Sequence, residues 1–509
     1  MFDQIERGQA VGKAEFDAAA SELRTSLILT QQELRKADCP VLIIFGGVDG
    51  AGKSELAGLL NEWMDPRWIV TRAYGPRTRD EKSRPEFWRY WVDIPPRGQI
   101  GVYLSAWYSE PLVDRVYGRL KKRKFERELS RIGEFERCLA DDGALILKFW
   151  MHLDKAQQKR RLRKLEKHPA RHWQVGKQDW RNWENYGRFV EVAERIIERT
   201  DAPYAPWRLV DGGDAGYRSL AVLRTVRQAI GDHLAGRTSS RTRPPPAVQL
   251  TVAENGGEDG PATAESHGGP ASRPPLAQVD LGASVTKPLY ARKLPKLRRR
   301  LNELYQRAKN QEMATMLVFE GWDAAGKGGT IRRVTAALDA RDYRIHPIAA
   351  PNDWENAHHY LWRFWQRIPR DGKFAIFDRS WYGRVMVERV EGFASEPEWS
   401  RAFREIREFE DQIVEHGTLL MKFWLHIDAD EQARRFRDRA ETPYKSWKLT
   451  DEDWRNRDRW REYEAAVNEM VTRTSTAAAP WHLVPFNDKR HGRLEVLTRL
   501  CEAMERKLG

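Results

Sequence analysis

Short apolar runs alternate with longer amphipathic stretches along the whole chain. Runs of strand length occur at Val41–Phe45, Thr315–Phe319, Phe374–Asp378, Leu419–Ile427 and Trp481–Phe486. They are almost continuously apolar, as expected for strands that other elements cover on both faces. Basic amphipathic stretches, such as Leu23–Leu34 and Leu294–Ala308, predict helices. The alternation of strands and helices predicts an α/β fold, with right-handed crossovers and a parallel sheet between helix layers.

This pattern occurs twice in the sequence. Lys327 in EGWDAAGKGG lies 274 positions (327 − 53) after Lys53 in GGVDGAGKSE. The same offset relates LKFWMHLD at Leu147–Asp154 to MKFWLHID at Met421–Asp428. An offset that stays constant over such a distance predicts two whole domains fused in tandem. Each repeat can therefore be compared with the other, position by position.

The repeats divide the chain into three predicted parts. The two domains are expected at 1–237 and 287–509, each long enough to bury a sizeable core. The segment 238–286 between them is rich in Pro, Gly, Ser and Ala and poor in aromatic residues. Such a composition cannot bury enough apolar surface to fold, so this segment is expected to be a flexible linker.

The chain is strongly basic. Its 509 residues carry a formal net charge of +13, which suits a polyanionic partner without choosing between nucleic acid, phosphate polymer and acidic lipid. Its three cysteines, Cys39, Cys138 and Cys501, show no metal-binding spacing and are expected to be reduced thiols. The N-terminal residues lack the apolar core of a signal peptide, and no run reaches membrane-span length. A cytoplasmic location without membrane contact is therefore expected.

Each repeat carries a glycine-rich loop between its first predicted strand and the next helix. The first loop, GVDGAGKS at Gly47–Ser54, matches the pattern G-x-x-x-x-G-K-[ST], whereas the second, GWDAAGKG at Gly321–Gly328, ends in glycine. Glycines let several backbone N–H groups converge on one phosphate, and the helix N-terminus and the lysine add positive charge. Both loops therefore predict a P-loop. The alternative is a plain turn in which Lys327 is a solvated surface charge.

The repeats differ at the end of the strand that ends in Asp378. A carboxylate beside a P-loop is where kinases hold magnesium, but the first repeat has Leu104 at this position. The residues Arg379, Ser380 and Arg384 of the second repeat are likewise replaced by Ser105, Ala106 and Glu110. These losses predict that the chemistry resides in the second repeat. Asp323 and Asp378 are its candidate metal ligands, because two carboxylates can replace the hydroxyl that Ser54 offers in the first loop.

A third candidate site is the basic stretch EQARRFRDRAETPYKSWKL at Glu431–Leu449. Its place in the repeat is where kinases of this architecture carry a helical lid. Residues at i, i+3 and i+4 share a helix face, so Arg434, Arg435 and Arg437 cannot all face the same way. The stretch is expected to grip polyphosphate or nucleotide phosphates, and the alternative is a solvated basic surface.

These motifs together resemble the polyphosphate kinase 2 family. The resemblance rests on GWDAAGKGGTI, FDRSWYGR, KFWLHI and NDK in the second repeat. It covers about 287–508, with a weaker copy at about 13–235. The fused arrangement is similar to the polyphosphate:AMP phosphotransferases of that family. The resemblance implies two P-loop kinase-like domains with helical lids, and transfer of a terminal phosphoryl group from inorganic polyphosphate to AMP with Mg²⁺ as cofactor.

The resemblance also implies roles for individual residues of the second repeat. The catalytic residues would be Asp323, Lys327, Asp378, Arg379 and Arg384, with Asp323 and Asp378 holding the metal. The phosphate-binding backbone would come from Ala325, Gly326, Gly328, Gly329 and Thr330. The lid and polyphosphate contacts would come from Arg434, Arg437, Lys445, Lys448, Lys489 and Arg493. The first repeat is expected to be a degenerate copy.

Two other functions stay open at the level of the sequence. One is an ATP-dependent nucleotide kinase of similar fold, which the choice of phosphoryl donor would distinguish. The other is a non-enzymatic polyanion-binding protein, against which the two carboxylates argue, because binding an anion needs cations alone. The expected partners are polyphosphate and AMP or ADP, with no nucleic acid and with a homo-oligomer left open.

Overall fold

Two five-stranded sheets form the centres of this protein. The computed structural model describes residues 1–2, 5, 8–169, 172, 175–242, 273–441 and 451–509. The strands of the first sheet are β1 (Val41–Gly47), β2 (Ile69–Ala73), β3 (Ile100–Leu104), β4 (Leu145–His152) and β5 (Trp207–Asp211). Those of the second sheet are β6 (Thr315–Gly321), β7 (Tyr343–Pro347), β8 (Phe374–Asp378), β9 (Leu419–His426) and β10 (Trp481–Pro485).

Helices connect and flank the strands in both repeats. The helices of the first repeat are α1 (Lys13–Leu34), α2 (Lys53–Trp63), α3 (Arg79–Lys82), α4 (Trp88–Val92), α5 (Ser109–Val116), α6 (Lys122–Asp141), α7 (Lys155–Glu166), α8 (Lys177–Glu184), α9 (Tyr186–Thr200) and α10 (Ala215–Thr242). Those of the second are α11 (Lys287–Asn310), α12 (Lys327–Thr335), α13 (Asp353–Asn356), α14 (Trp362–Trp365), α15 (Val387–Val390), α16 (Glu396–Glu415), α17 (Ala429–Ala440), α18 (Asp451–Asp458), α19 (Trp460–Thr474) and α20 (Lys489–Leu508).

Both sheets are parallel and have the same strand order. The first runs β2-β3-β1-β4-β5, and the second, read from the other edge, runs β7-β8-β6-β9-β10. The central strands β1 and β6 are almost fully buried, which explains their continuously apolar sequences. Because the strands are parallel, all their carboxyl ends lie at one edge of the sheet, where the glycine-rich loops follow β1 and β6. The predicted α/β fold with two tandem domains is confirmed.

Each repeat contains a buried ion pair at the equivalent position of its sheet. In the second repeat Lys422 of β9 donates from Nζ to Glu410 Oε2 at 2.7 Å and to the carbonyl of Thr474 at 2.8 Å. In the first repeat Lys148 donates to Glu136 at 2.8 Å. The lysine side chains are both inaccessible to solvent, so each charge depends on its partner.

Each compact unit includes a short segment from the other repeat. The unit built on β1–β5 takes in Pro351–Trp362, and the unit built on β6–β10 takes in Asp80–Glu86. In the first unit the backbone N–H of Arg97 donates to the carbonyl of Ala357 at 2.8 Å. In the second, the N–H of Asp371 donates to the carbonyl of Ser83 at 3.2 Å. The units in space therefore differ from the repeats in sequence by these segments.

Cys39, Cys138 and Cys501 take part in no disulfide, and all three are buried. Among the described residues, no helix is both long enough and apolar enough to cross a membrane. The expected linker, 238–286, falls for the most part outside the described residues.

Candidate active site

The second glycine-rich loop holds its lysine over the end of β6. Gly321 and Gly326 have φ angles of 145° and 124°, which side chains with a Cβ rarely adopt. Gly326 precedes α12, and Lys327 is the first residue of that helix. The Lys327 ammonium donates to the carbonyl of Gly321 at 2.7 Å. The loop thus places a cation and a helix N-terminus together at one end of the sheet.

Asp323 connects the loop to the end of β8. Its Oδ1 accepts a hydrogen bond from Arg379 Nη2 at 3.0 Å, and its Oδ2 accepts one from Asn456 of α18 at 3.1 Å. Burial opposes ionisation of Asp323, but the charges of Lys327 and Arg379 hold its pKa below the ordinary value. Asp323 is therefore a carboxylate at neutral pH. Arg379 itself has a φ of 66°, a strained conformation that the fold imposes on this strand end.

Two further acidic residues lie beside this pair. Asp378 ends β8 and, among the described residues, its carboxylate accepts no side-chain hydrogen bond or ion pair. Glu320 is 4% exposed and accepts a hydrogen bond from Ser380 Oγ at 2.8 Å. Burial raises the pKa of Glu320, against the opposing effect of Lys327. The Glu320–Ser380 bond ties the end of β6 to the turn after β8.

Arg435 of α17 joins the loop to the segment after β10. It is 2% exposed. Its guanidinium donates to the carbonyl of Ala325 at 2.7 Å and to that of Phe486 at 2.6 Å. It also forms an ion pair with Glu431 at 2.5 Å. Burial lowers the pKa of Arg435, yet arginine remains charged at any physiological pH.

Most of these groups, but not Glu320, border one open cavity of about 950 Å³ in the second unit. The predicted residues that line it are Asp323, Ala325, Gly326, Lys327, Gly328, Gly329, Asp378, Arg379, Lys489 and Arg493. Other residues also line it: Ala324, Ile331, Arg332, Ile345, Pro347, Ile348 and Ala349, together with Arg435, Asp438 and Arg439 of the predicted basic stretch. The cavity joins a cation-rich side, formed by α12, α17 and α20, to an apolar side at the end of β7.

Some predicted residues lie away from the cavity lining. Thr330 is fully buried, and its hydroxyl donates to the carbonyl of Gly326 at 3.1 Å. Arg384 forms an ion pair with Glu388 at 3.2 Å. Their proposed contacts with phosphate stay predictions.

The predicted lid arginines also divide between two faces of α17. Arg434 is exposed and pairs with Glu431 and Asp438, each at 2.7 Å. Arg437 is exposed as well, whereas Arg435 and Arg439 line the cavity. Lys445 and Lys448 lie outside the described residues, so the lid itself stays a prediction.

The comparison between repeats could have revealed two of the missed residues. Glu320 corresponds to Gly46 and Arg332 to Gly58 in the first repeat, the same loss of charge that singled out Asp378. Arg435 gives no such signal, because the first repeat keeps an arginine there, Arg161.

Comparison with known proteins places this geometry in a family. The family model described as Polyphosphate kinase 2 (PPK2) matches residues 10–237 and 284–508. The chain belongs to the polyphosphate kinase 2 family. The match covers both repeats, so the first repeat has kept the family's sequence pattern although it lacks the acidic and basic residues at the end of β3.

Whole-chain relatives of the polyphosphate kinase 2 family share the two-domain arrangement. A polyphosphate:AMP phosphotransferase of Pseudomonas aeruginosa strain PAO1 is 44% identical over 506 residues, which cover 99% of both chains. Another, from Pseudomonas syringae pv. tomato, is 43% identical and covers 99% of this chain and 98% of the relative. A crystal structure of a polyphosphate kinase 2 from Pseudomonas aeruginosa aligns with a TM-score of 0.86 at 42% identity, and covers 100% of this chain and 99% of that one.

Proposed function

We propose that this protein is a polyphosphate:AMP phosphotransferase. It transfers the terminal phosphoryl group of inorganic polyphosphate to AMP, which gives ADP, and the reaction takes place in the second repeat, 287–509. The observation that carries the proposal is the cavity that brings Lys327, Arg379 and the carboxylates of Asp323 and Asp378 together. Whole-chain relatives named for this activity support it.

The reaction needs charge neutralisation more than proton transfer. An oxygen of the AMP phosphate, already an anion at neutral pH, attacks the terminal phosphorus of the polymer. The bond from that phosphorus to the bridging oxygen breaks, and the shortened polyphosphate leaves with the electron pair. No general base is required, so catalysis depends on positioning and on electrostatic stabilisation. Lys327 and the N-terminus of α12 hold the transferred group, and Arg379 offsets the charge that develops on its oxygens.

A magnesium ion fits the donor set of this cavity. Carboxylate oxygens are hard ligands of the kind Mg²⁺ prefers, and Asp323 and Asp378 both line the cavity. Asp378 is the better placed of the two to bind a cation, because both oxygens of Asp323 already accept hydrogen bonds. Bound there, Mg²⁺ would neutralise phosphate oxygens and reduce their repulsion of the acceptor.

The two sides of the cavity suit the two substrates. Arg332, Lys489 and Arg493, together with Arg435 and Arg439, form the side on which a polymer of phosphates would lie. At the end of β7 the lining residues are Ile345, Pro347, Ile348 and Ala349. These side chains carry no charge and present an apolar surface to which a nucleoside can bind. We assign the polyphosphate to the first side and the nucleoside of AMP to the second.

The test is a product analysis. The purified chain with Mg²⁺ is given polyphosphate and, in turn, each nucleoside mono- and diphosphate, and the products are separated by chromatography. ADP from AMP and polyphosphate is the expected result. Efficient ADP formation from ATP and AMP without polyphosphate would instead support an ATP-dependent nucleotide kinase. The cytoplasmic location and the absence of nucleic acid among the substrates stay predictions.

A further inference from the structure

The first glycine-rich loop has kept the backbone of the second. Positive φ angles occur at equivalent positions, namely Gly47, Gly50 and Gly52 in the first loop and Gly321, Ala324 and Gly326 in the second. Lys53 donates to the carbonyl of Gly47 at 2.7 Å, the distance that Lys327 has to Gly321. The backbone that would bind a phosphate is therefore present in the first unit. The surrounding side chains decide whether a phosphate can reach it.

Four cations around the second loop have no basic counterpart in the first repeat. Arg332, Arg333, Lys489 and Arg493 correspond to Gly58, Leu59, Ala215 and Ser219. A cavity of about 110 Å³ lies beside Lys53 and Asp49, and neither Gly50, Gly52 nor Glu55 lines it. A polymer of phosphates would therefore not meet the positive charge that the second unit offers.

A carboxylate of the chain itself forms ion pairs with two arginines beside the first loop. Glu55, the third residue of α2, stands where the second repeat has Gly329. Its carboxylate forms ion pairs with Arg161 of α7, at 2.6 Å, and with Arg218 of α10. Gly329 lines the phosphate cavity of the second unit, where a Cβ atom on it would lie 3.0 Å from Arg493 Nη2. Glu55 therefore directs a negative charge toward the place at which cations surround the second cavity.

Arg218 lies beside the first loop because the two repeats have exchanged a large and a small residue at two positions. In the second unit the Phe486 ring packs against Gly326 and Gly492. In the first unit the equivalent of Phe486 is Gly212, and the equivalent of Gly492 is Arg218. Arg218 is 3% exposed, donates to the carbonyl of Gly212 at 2.9 Å, and lies directly over the loop glycine Gly52. The exchange replaces an apolar cover with a cationic one that Glu55 neutralises.

We infer that the first glycine-rich loop is an anion site closed from within, in which Glu55 takes the place of a bound phosphate and pairs with Arg161 and Arg218. The chain then has one functional phosphate loop, the second, and the first unit keeps its loop intact through an internal salt bridge. This inference extends the proposed function, since it says which of two loops with the same backbone can bind a phosphate.

The test measures, by isothermal titration calorimetry, how many pyrophosphate sites the full-length chain has. In the wild-type chain, Lys53→Met should leave the isotherm unchanged. Glu55→Gly, which copies Gly329, should free both arginines and add one pyrophosphate site, and Lys53→Met added to Glu55→Gly should remove it again. Glu62→Gly is the matched control, because it deletes an exposed carboxylate from the same helix and should add no site.

Three results would overturn the inference. One is a wild-type isotherm that loses a site on Lys53→Met. Another is a Glu55→Gly chain with wild-type circular dichroism and no additional site. The third is an additional site that survives Lys53→Met. If Glu55→Gly does not fold, the wild-type and Lys53→Met isotherms decide the question alone. ADP formation, measured in parallel, should be unchanged in Glu55→Gly, so a failure of the proposed function would appear in the wild-type assay and not in the site count.

Discussion

Arg379 and Asp323 form an ion pair at 3.0 Å that joins the strand end of β8 to the second glycine-rich loop. The pair is specific to the second repeat, because Asp49 is retained in the first whereas Ser105 replaces the arginine. Asp49 keeps the equivalent of the Asn456 contact, since the amide of Asn182 donates to it at 2.8 Å, and the ammonium of Lys53 lies 4.0 Å away. The carboxylate persists in both loops, and the arginine marks the loop to which we assign chemistry.

Replacing this arginine tests its role directly. Arg379→Ala should lower kcat for ADP formation by about 10²–10³-fold, because a charged donor aimed at a developing oxyanion is worth that much. The matched control is Arg341→Ala, which removes an exposed arginine from an Arg–Asp pair of the same unit and should leave kcat unchanged. Steady-state kinetics with AMP and polyphosphate give both values. Equal effects of the two substitutions would contradict the assignment.

The two loop lysines should differ sharply in their effect on turnover. Lys327→Ala and Asp378→Asn should each reduce AMP phosphorylation by at least about 10²-fold, since both groups would contact the transferred phosphate or its metal. Lys53→Ala should leave most of the activity. The measurement is kcat for each variant, with circular dichroism to confirm folding. A folded Lys53→Ala chain as inactive as Lys327→Ala would show that the first loop also takes part.

Binding of polyphosphate should weaken as the pH rises through about 8. Burial, followed by the nearby charge of Arg435, lowers the pKa of Lys489 to about 8. Lys489 is therefore charged below this pH and becomes neutral above it, which removes one cation from the polymer side of the cavity. The KM for polyphosphate should rise between pH 7 and pH 9. In Lys489→Arg it should rise less, because arginine keeps its charge; parallel profiles would exclude Lys489 as the cause.

The buried lysine of β9 should matter for stability. Lys422→Met leaves Glu410 buried without its cation, which should lower the free energy of unfolding of the second unit by about 3–5 kcal/mol. Lys148→Met should have an equal effect on the first unit, where the pair with Glu136 is equivalent. Replacing both partners, as in Lys422→Met with Glu410→Leu, should cost less than Lys422→Met alone. Chemical denaturation followed by tryptophan fluorescence measures these changes, and a wild-type midpoint for Lys422→Met would refute the prediction.

A single substitution should not restore phosphotransfer activity to the first repeat. Leu104→Asp, made in a Lys327→Ala background, returns a carboxylate to the end of β3 but not the arginine next to it. It also leaves Gly46 where the second repeat has Glu320, and Glu110, which pairs with Arg77 at 3.2 Å, in place of Arg384. We expect no AMP phosphorylation above the Lys327→Ala background. Substantial ADP formation by this variant would mean that the first unit has decayed less than its sequence indicates.

Local patterns of neighbouring residues predicted the strands, and this prediction is confirmed. A continuously apolar run such as Val41–Phe45 can be stable only where other elements cover both its faces, and β1 is the central strand of its sheet. Parallel strands end at one edge of the sheet, and this topology brings Lys327 and Asp378 together. Both line the same cavity. This part of the site follows from local pattern and topology.

Only the tertiary structure shows which way each cationic side chain points. Arg434, Arg435 and Arg437 follow one another closely in a basic helix, and the sequence could say only that they diverge. In the structure Arg435 points inward, where the carbonyl of Phe486 accepts its hydrogen bond, and Arg434 pairs with acidic neighbours of its own helix. Arg384 was predicted from its motif, yet Glu388 lies within 3.2 Å of it. Such choices depend on partners that come near only after folding.

The sequence by itself determined the duplication, the α/β fold and the loss of charge at the end of β3, because these are properties of residue type and spacing. It could not determine that Arg218 would lie over Gly52, or that Glu55 would pair with it across 163 positions of the chain. That contact exists because α2 and α10 of the first unit pack against each other on the sheet. Only the packing of helices on the sheet decides which distant charges meet.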